Sequence, residues 1–156
     1  MNDAHIHLLF THFPIMGSCF GLLVLGSGII IDNVTVRKTG YAILLFTAVL
    51  TIPAFISGEG AEEIKEEIKE EIEGVSHHLI HEHEENGEIA LWMSEVMGIL
   101  AAVAFYFDHI GHPRRKAFSI VMLIFTLATF GVMTRTGNSG GKISHPEIVP
   151  ETKVSE

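Results

Sequence analysis

The chain has one cysteine, Cys19, one tryptophan and two tyrosines among 156 residues. A lone cysteine excludes an internal disulfide framework, and without Cys-x-x-Cys-His there is no attachment point for covalent c-type haem. Positive charge is also scarce. Ten Lys and Arg against 19 Asp and Glu leave a formal net charge of −9, the wrong sign for a phosphate-binding surface, so nucleic acid is not an expected partner. The most telling shortage is local. No charged residue occurs from Phe13 to Ile31, from Thr39 to Ser57 or from Ala117 to Thr134, and Ile89 to Phe107 holds only Glu95. Each run is close to the roughly 20 residues that cross a hydrocarbon core. Together they leave too little chain for a soluble core beneath them. The expected fold is all-α: a four-transmembrane-helix bundle forming one integral membrane domain over residues 1–156. Helices are expected at about 8–32, 36–57, 86–108 and 114–136, with a tail over 137–156.

The basic residues orient this bundle. Arg37 and Lys38 fall in the segment joining the first two runs, and Arg114, Arg115 and Lys116 in the one joining the last two. The other five are spread among acids in longer segments. The positive-inside rule then predicts cytoplasmic short loops and both termini on the outer side of a bacterial inner membrane. Asp3 and histidines precede the first run where a signal peptide carries lysines, so a retained span is expected there.

Between the second and third runs, Ile64, Ile68, Ile72, Val75 and Leu79 recur at steps of four and three, one apolar stripe on a helix. Glutamates fill the other faces, with Lys65 and Lys69 three or four residues from several of them. An amphipathic helical insertion over about 60–84 is expected, capping the outer end of the bundle or lying on the membrane surface. After the fourth run, Gly137-Asn-Ser-Gly-Gly141 is expected to end the helix.

An up-down-up-down order brings the starts of helices one and three beside the ends of helices two and four. His5, His7, His12, His77, His78, His81, His83 and His145 then gather at one end, near Glu59, Glu62, Glu84 and Glu88. Imidazole is the usual protein ligand for haem iron, zinc and copper, and bundles commonly host such sites between facing helices. His12 stands at the mouth of an uncharged span, one turn before Met16 and next to Phe13-Pro14, where proline suits a first helical turn. His5, His77 and His78 read as hydrophilic surface, and His109 and His112 as solvated loop residues. His81 divides evenly between surface and site. Glu95 is an ionisable group well inside a span; such groups are costly there and face a partner or a cavity, so it is a candidate proton carrier or hydrogen-bonding group. Gly17-x-x-x-Gly21 and Gly28 make a small-residue face on helix one, suited to close helix packing. Arg135, near the outer end of helix four, is placed to meet Glu59 or the propionates of a haem.

His7-Leu-Leu-Phe-Thr-His12-Phe-Pro14 resembles the opening of a widespread group of bacterial four-helix membrane proteins whose first helix begins with His-x4-His-x-Pro. The likeness continues at Gly58-Glu-Gly-Ala-Glu-Glu63 and Ile80-His-Glu-His-Glu-Glu85, and ends at Gly140-Gly-Lys-Ile-Ser-His-Pro-Glu147, a Gly-Gly-x-Ile-x-His ending. The resemblance implies a functional weight for His7, His12, His83 and His145, with Glu59, Glu62 and Glu84 as companions. That group is defined by sequence rather than by activity, so the resemblance implies no reaction.

Three functions remain open. In the first, the chain is a b-type cytochrome-like electron-transfer protein or subunit. His12 and His83 bind haem b, and His7 and His145 serve as a second pair or as supporting partners. Electrons would pass between the quinone pool and a periplasmic carrier or respiratory complex. In the second, these histidines with Glu59, Glu62 and Glu84 hold zinc, copper or iron without haem. In the third, the chain is a cofactor-free accessory subunit of a larger membrane complex. Neither His-Glu-x-x-His nor a nucleophile–base pair is evident, which makes hydrolysis the weakest branch.

Overall fold

The fold is described from a computed structural model, over residues 10–68 and 77–144. These residues form α1 (His12–Ile30), α2 (Val34–Ile68), α3 (His77–His109) and α4 (Arg115–Ser144), with no strand among them. Each helix is long and apolar enough to cross a membrane. The chain is thus an all-α, multi-pass membrane protein in outline.

Two tight turns join the helices at one end, here called the short-loop end. After α1, Asp32 adopts the left-handed conformation (φ 49°), which an aspartate tolerates better than a branched residue. Asn33 N–H then donates to Gly28 O at 2.9 Å, and Asn33 Oδ1 caps α2 by accepting from Val36 N–H at 3.1 Å. The α3–α4 turn relies on Gly111 (φ 67°) and on the His112 ring stacked 4.3 Å from that of Phe107. Arg37 therefore belongs to α2 and not to a loop.

Each helix packs on the next, and α4 closes on α1. Paired residues fix the directions. Gly17 lies against Thr47, Gly21 against Leu44 and Gly28 against Arg37; Arg37 bonds Asp108, and Thr51 bonds Ser94. Rising numbers on one helix meet falling numbers on its neighbour, so α1, α2 and α3 alternate. The His83 ring and the Asn86 carbonyl of α3 likewise meet Thr136 of α4. The glycines are contact points: a Cβ on Gly28 would stand 2.6 Å from the Arg37 backbone nitrogen, and one on Gly40 would stand 2.9 Å from the Leu25 backbone.

The interior does not resemble that of a soluble bundle. Leu25, Leu44, Met97 and Met122 form the core with Tyr41, Ala101 and Ala104. Ser18, Thr47, Thr51, Ser94, Ser119, Thr126, Thr129 and Ser139 are also buried, whereas Phe20, Phe46, Trp92, Ile124 and Leu127 are exposed. A bundle in water buries its large apolar groups. A bundle in lipid gains little by that and packs through small residues instead. Hydroxyls serve well there because a helix carbonyl can satisfy them: Thr47, Thr51, Thr126 and Thr129 each donate to the carbonyl four residues earlier.

Three boundaries differ from expectation. α2 continues past Gly58 and Gly60 to Ile68, and α3 begins at His77, so both flanks of the expected 60–84 insertion are continuous with the helices that carry the second and third spans. Residues 69–76 lie outside the described residues. A glycine in a helix costs about 1 kcal/mol, too little to stop one that is already propagating and meets no competing turn. Asn86-Gly87 does not break α3 either, since Asn86 Nδ2 donates to Glu82 O at 2.7 Å along the helix. Most clearly, α4 runs through Gly137-Asn-Ser-Gly-Gly141 to Ser144. Gly137 and Gly140 are there for close approach: a Cβ would stand 2.7 Å from Ile15 Cδ1 at the first and 2.9 Å from His83 Cε1 at the second.

Candidate functional site

Opposite the short loops, all four helices line one interior cavity of about 90 Å³. Small residues open it (Ala54, Gly87, Ala90, Gly137), Phe55 and Met133 give it apolar walls, and His83, Thr51, Thr136 and Thr11 supply its polar atoms. This is the histidine end of the bundle.

His83 is held there by α4. Its Nδ1 lies 3.1 Å from Thr136 O and 3.0 Å from Ser139 Oγ. A carbonyl only accepts, and Ser139 Oγ itself donates to Thr136 O at 2.9 Å. The ring therefore donates from Nδ1–H, which puts the lone pair of the neutral imidazole on Nε2. Gly140 leaves room for the ring face. Thr136 ties the arrangement back to α3, since its Oγ1 donates to Asn86 O at 3.0 Å. Thr136, Ser139 and Gly140 stand at i, i+3 and i+4 on α4, one face of the helix. A ring fixed through one nitrogen by a backbone carbonyl, with the other nitrogen basic, is how metal-binding histidines are usually oriented.

His12 takes a different position. It is exposed and lines a groove of about 860 Å³ between α1 and α2, with Met16, Gly17 and the rings of Phe13, Phe20 and Phe46. Thr11 lines the cavity while His12 lines the groove, so the first turn of α1 separates the spaces bordered by His12 and His83. Glu84 is exposed and lies 3.5 Å from His81, which also approaches Glu85 at 3.4 Å. That cluster is surface. Arg135 approaches Glu82 at 3.9 Å. Glu59 and Glu62 lie on the last turns of α2. His7 and His145 lie outside the described residues. Glu95 sits on the outward side of α3, with Oε1 buried and without a hydrogen-bond partner. Among the described residues, no three His, Cys, Asp or Glu side chains group together as a metal site.

The sequence reading missed two sets of residues. Asn86, Thr136 and Ser139, which position His83, are ordinary polar residues in a sequence, and only the i, i+3, i+4 spacing with Gly140 hinted at them. At the other end, Arg37 and Asp108 are buried together, with Nε–Oδ2 at 2.9 Å and Nη2–Oδ1 at 2.8 Å. Arg37 Nη1 also donates to Asp32 at 3.1 Å, and Lys116 closes the network on Asp32 at 2.7 Å. Comparison with protein-family models, curated proteins and solved structures gives no match to this chain.

Proposed function

We propose that the chain is a membrane electron-transfer protein, or the membrane subunit of one, holding a metal-centred cofactor through histidines at the His12–His83 end, with haem b as the first candidate. The observation that carries this reading is the His83 ring, held through Nδ1 against Thr136 O and Ser139 Oγ at the wall of a cavity shared by all four helices. The groove on α1 and α2, at about 860 Å³, is within the roughly 300–1,000 Å³ usual for organic ligands. His12 is its imidazole, and its phenylalanines suit a flat macrocycle. Arg135 is the cation available to propionates. When bound, haem supplies one-electron chemistry; the chain's part is ligation by histidine, exclusion of water by the phenylalanines, and charge pairing. His7 and His145 are the further imidazoles this reading calls on. The basic residues Lys38, Arg114, Arg115 and Lys116 favour a cytoplasmic short-loop end in a bacterial inner membrane, with the site and both termini on the periplasmic side. Partners in this reading are membrane lipid, the quinone pool and a periplasmic carrier or respiratory complex.

The test is an absorbance spectrum of the detergent-solubilised chain from haem-replete cells. A Soret band and a reduced alpha band that shift or vanish in His83→Ala or His12→Ala are expected. A colourless preparation overturns haem. The size of the cavity beside His83 supports a second reading: about 90 Å³ takes one ion with a few waters. There His83 would hold zinc, copper or iron, with carboxylates such as Glu59, Glu62 and Glu84 considered as companions. Elemental analysis showing one ion per chain, lost in His83→Ala, is the expected result. A colourless, metal-free protein leaves only the accessory-subunit role.

A further inference from the structure

Pro53 lies inside α2 and has no N–H, so the Val49 carbonyl, four residues earlier, loses its usual helical donor. In hydrocarbon such a freed carbonyl is costly, and a side chain of a neighbouring helix is one of the groups that satisfy it. On α3, Glu95 has one oxygen buried by the chain's own atoms and reached by no donor.

The two groups lie on facing flanks of one helix pair. Thr51 bonds Ser94 at 2.9 Å, and a Cβ on Gly98 would stand 2.6 Å from Ala48 Cβ and 3.9 Å from Leu45 Cδ1. Residues 45, 49 and 52 form one stripe of α2, and residues 95, 98 and 102 one stripe of α3, at steps of three and four. In this antiparallel register Glu95 stands opposite positions 50 and 51 of α2. A helical side chain leans toward its own N-terminus, which carries the Glu95 carboxyl toward Ile52 and Pro53. The Val49 carbonyl points the same way along α2, toward residue 53. A carboxyl and a carbonyl without its donor thus come to the same level of the bundle.

Their chemistry matches in one protonation state only. An ionised carboxylate accepts and cannot donate, so it would set a second acceptor against the carbonyl, whereas the acid has an O–H to give. No cation shares this depth: α2 is uncharged from Thr39 to Ser57, and α3 holds no charged residue other than Glu95 from Ile89 to Phe107. Glu88 is about 10 Å away along α3. Lys38 lies over the Phe105 ring, and Tyr41 bonds Ser119. Phe105 and Tyr106 are about 15 Å along α3 from Glu95.

We propose that Glu95 is a proton-binding site in the middle of the span, its carboxyl holding a proton that it donates to the Val49 carbonyl. The proton latches α3 to α2 at the proline, where Thr51, Ala54 and Phe55 form the α2 wall of the cavity. The latch involves no cofactor and is independent of the haem and metal readings.

Infrared spectroscopy of the full chain tests this, in vesicles of ether-linked phosphatidylcholine, whose lipids have no ester carbonyl to hide the signal. At about pH 8, carboxyl groups in water are ionised. The C=O stretch of one un-ionised carboxylic acid is expected, moving on deuteration and lost in Glu95→Gln. Pro53→Ala restores a backbone N–H for the Val49 carbonyl, so the acid loses its acceptor and its band should shift to higher frequency. A parent chain without an un-ionised acid band overturns the proposal, and this arm needs no variant to fold. A band that survives Glu95→Gln, or that stays in place in Pro53→Ala, overturns it as well.

Discussion

At the short-loop end, Arg37 donates from three nitrogens to two aspartates, and Lys116 completes the ring of charges. At the histidine end, His83 rests on a neutral carbonyl and a hydroxyl beside an open cavity. Both ends join α3 to a neighbour, but the bonding differs in kind. Buried charges demand complete pairing and leave no spare valence, so the first end is closed. At the second end neutral groups hold an imidazole, with glycine-sized gaps beside it. Room for chemistry lies where the packing is made of small neutral residues, and the ion pair holds the opposite end shut.

The hardest blow to this contrast should come from Asp108→Ala, which strands Arg37 in the interior and should cost about 3–5 kcal/mol in reversible unfolding in micelles. The paired replacement Arg37→Met with Asp108→Leu should recover most of that loss, because no charge is left unmatched. If Asp108→Ala unfolds like the parent chain, the closed-end description fails. Next comes Gly140→Ala, whose Cβ would stand 2.9 Å from His83 Cε1. It should cost about 1–3 kcal/mol by overpacking and should also displace the ring, changing any cofactor spectrum. Gly131→Ala, with nothing within 4 Å, should instead stabilise by about 0.5–1 kcal/mol. Equal effects at the two glycines would remove the case for a built ring site. Tyr41→Phe deletes the 2.7 Å bond to Ser119 Oγ and should cost about 0.5–1.5 kcal/mol by thermal unfolding.

Acid titration gives the smallest effect. Hydrogen bonds from Lys116, then Arg37, hold the Asp32 carboxyl below the ordinary aspartate range. A lowered folded value means its contribution is complete above the unfolded value of about 3.9 and is lost as pH falls through the folded one. Asp32 is exposed, so salt should screen the effect. A fall in stability between pH 7 and 5 that is abolished in Asp32→Asn would contradict the assignment.

The four spans were legible because a charge-free run of membrane length has few alternatives. Helix ends were not. Gly137-Asn-Ser-Gly-Gly141 reads as a stop, yet its glycines meet Ile15 and His83 across the bundle, a partner invisible along the chain. Arg37 reads as a loop charge and Asp108 as the end of a span for the same reason: each is at the margin of a charge-free run, and only their mutual approach buries them. His83 was legible as a candidate through the clustering of histidines at one end. Its clamp by Thr136 and Ser139 was not, since hydroxyls on a membrane helix usually bond their own backbone.

Sequence alone determined the number of spans and the end at which the histidines collect, since both follow from where charges are missing and from the alternation of the helices. Tertiary structure alone decided which charges are buried, which imidazole is clamped and in which tautomer, and which face leaves Glu95 without a partner. Those properties depend on distances between residues some 40 to 80 positions apart. Hydrophobic periodicity reports how a helix meets its surroundings. It does not report which particular atom on a neighbouring helix accepts a given hydrogen bond.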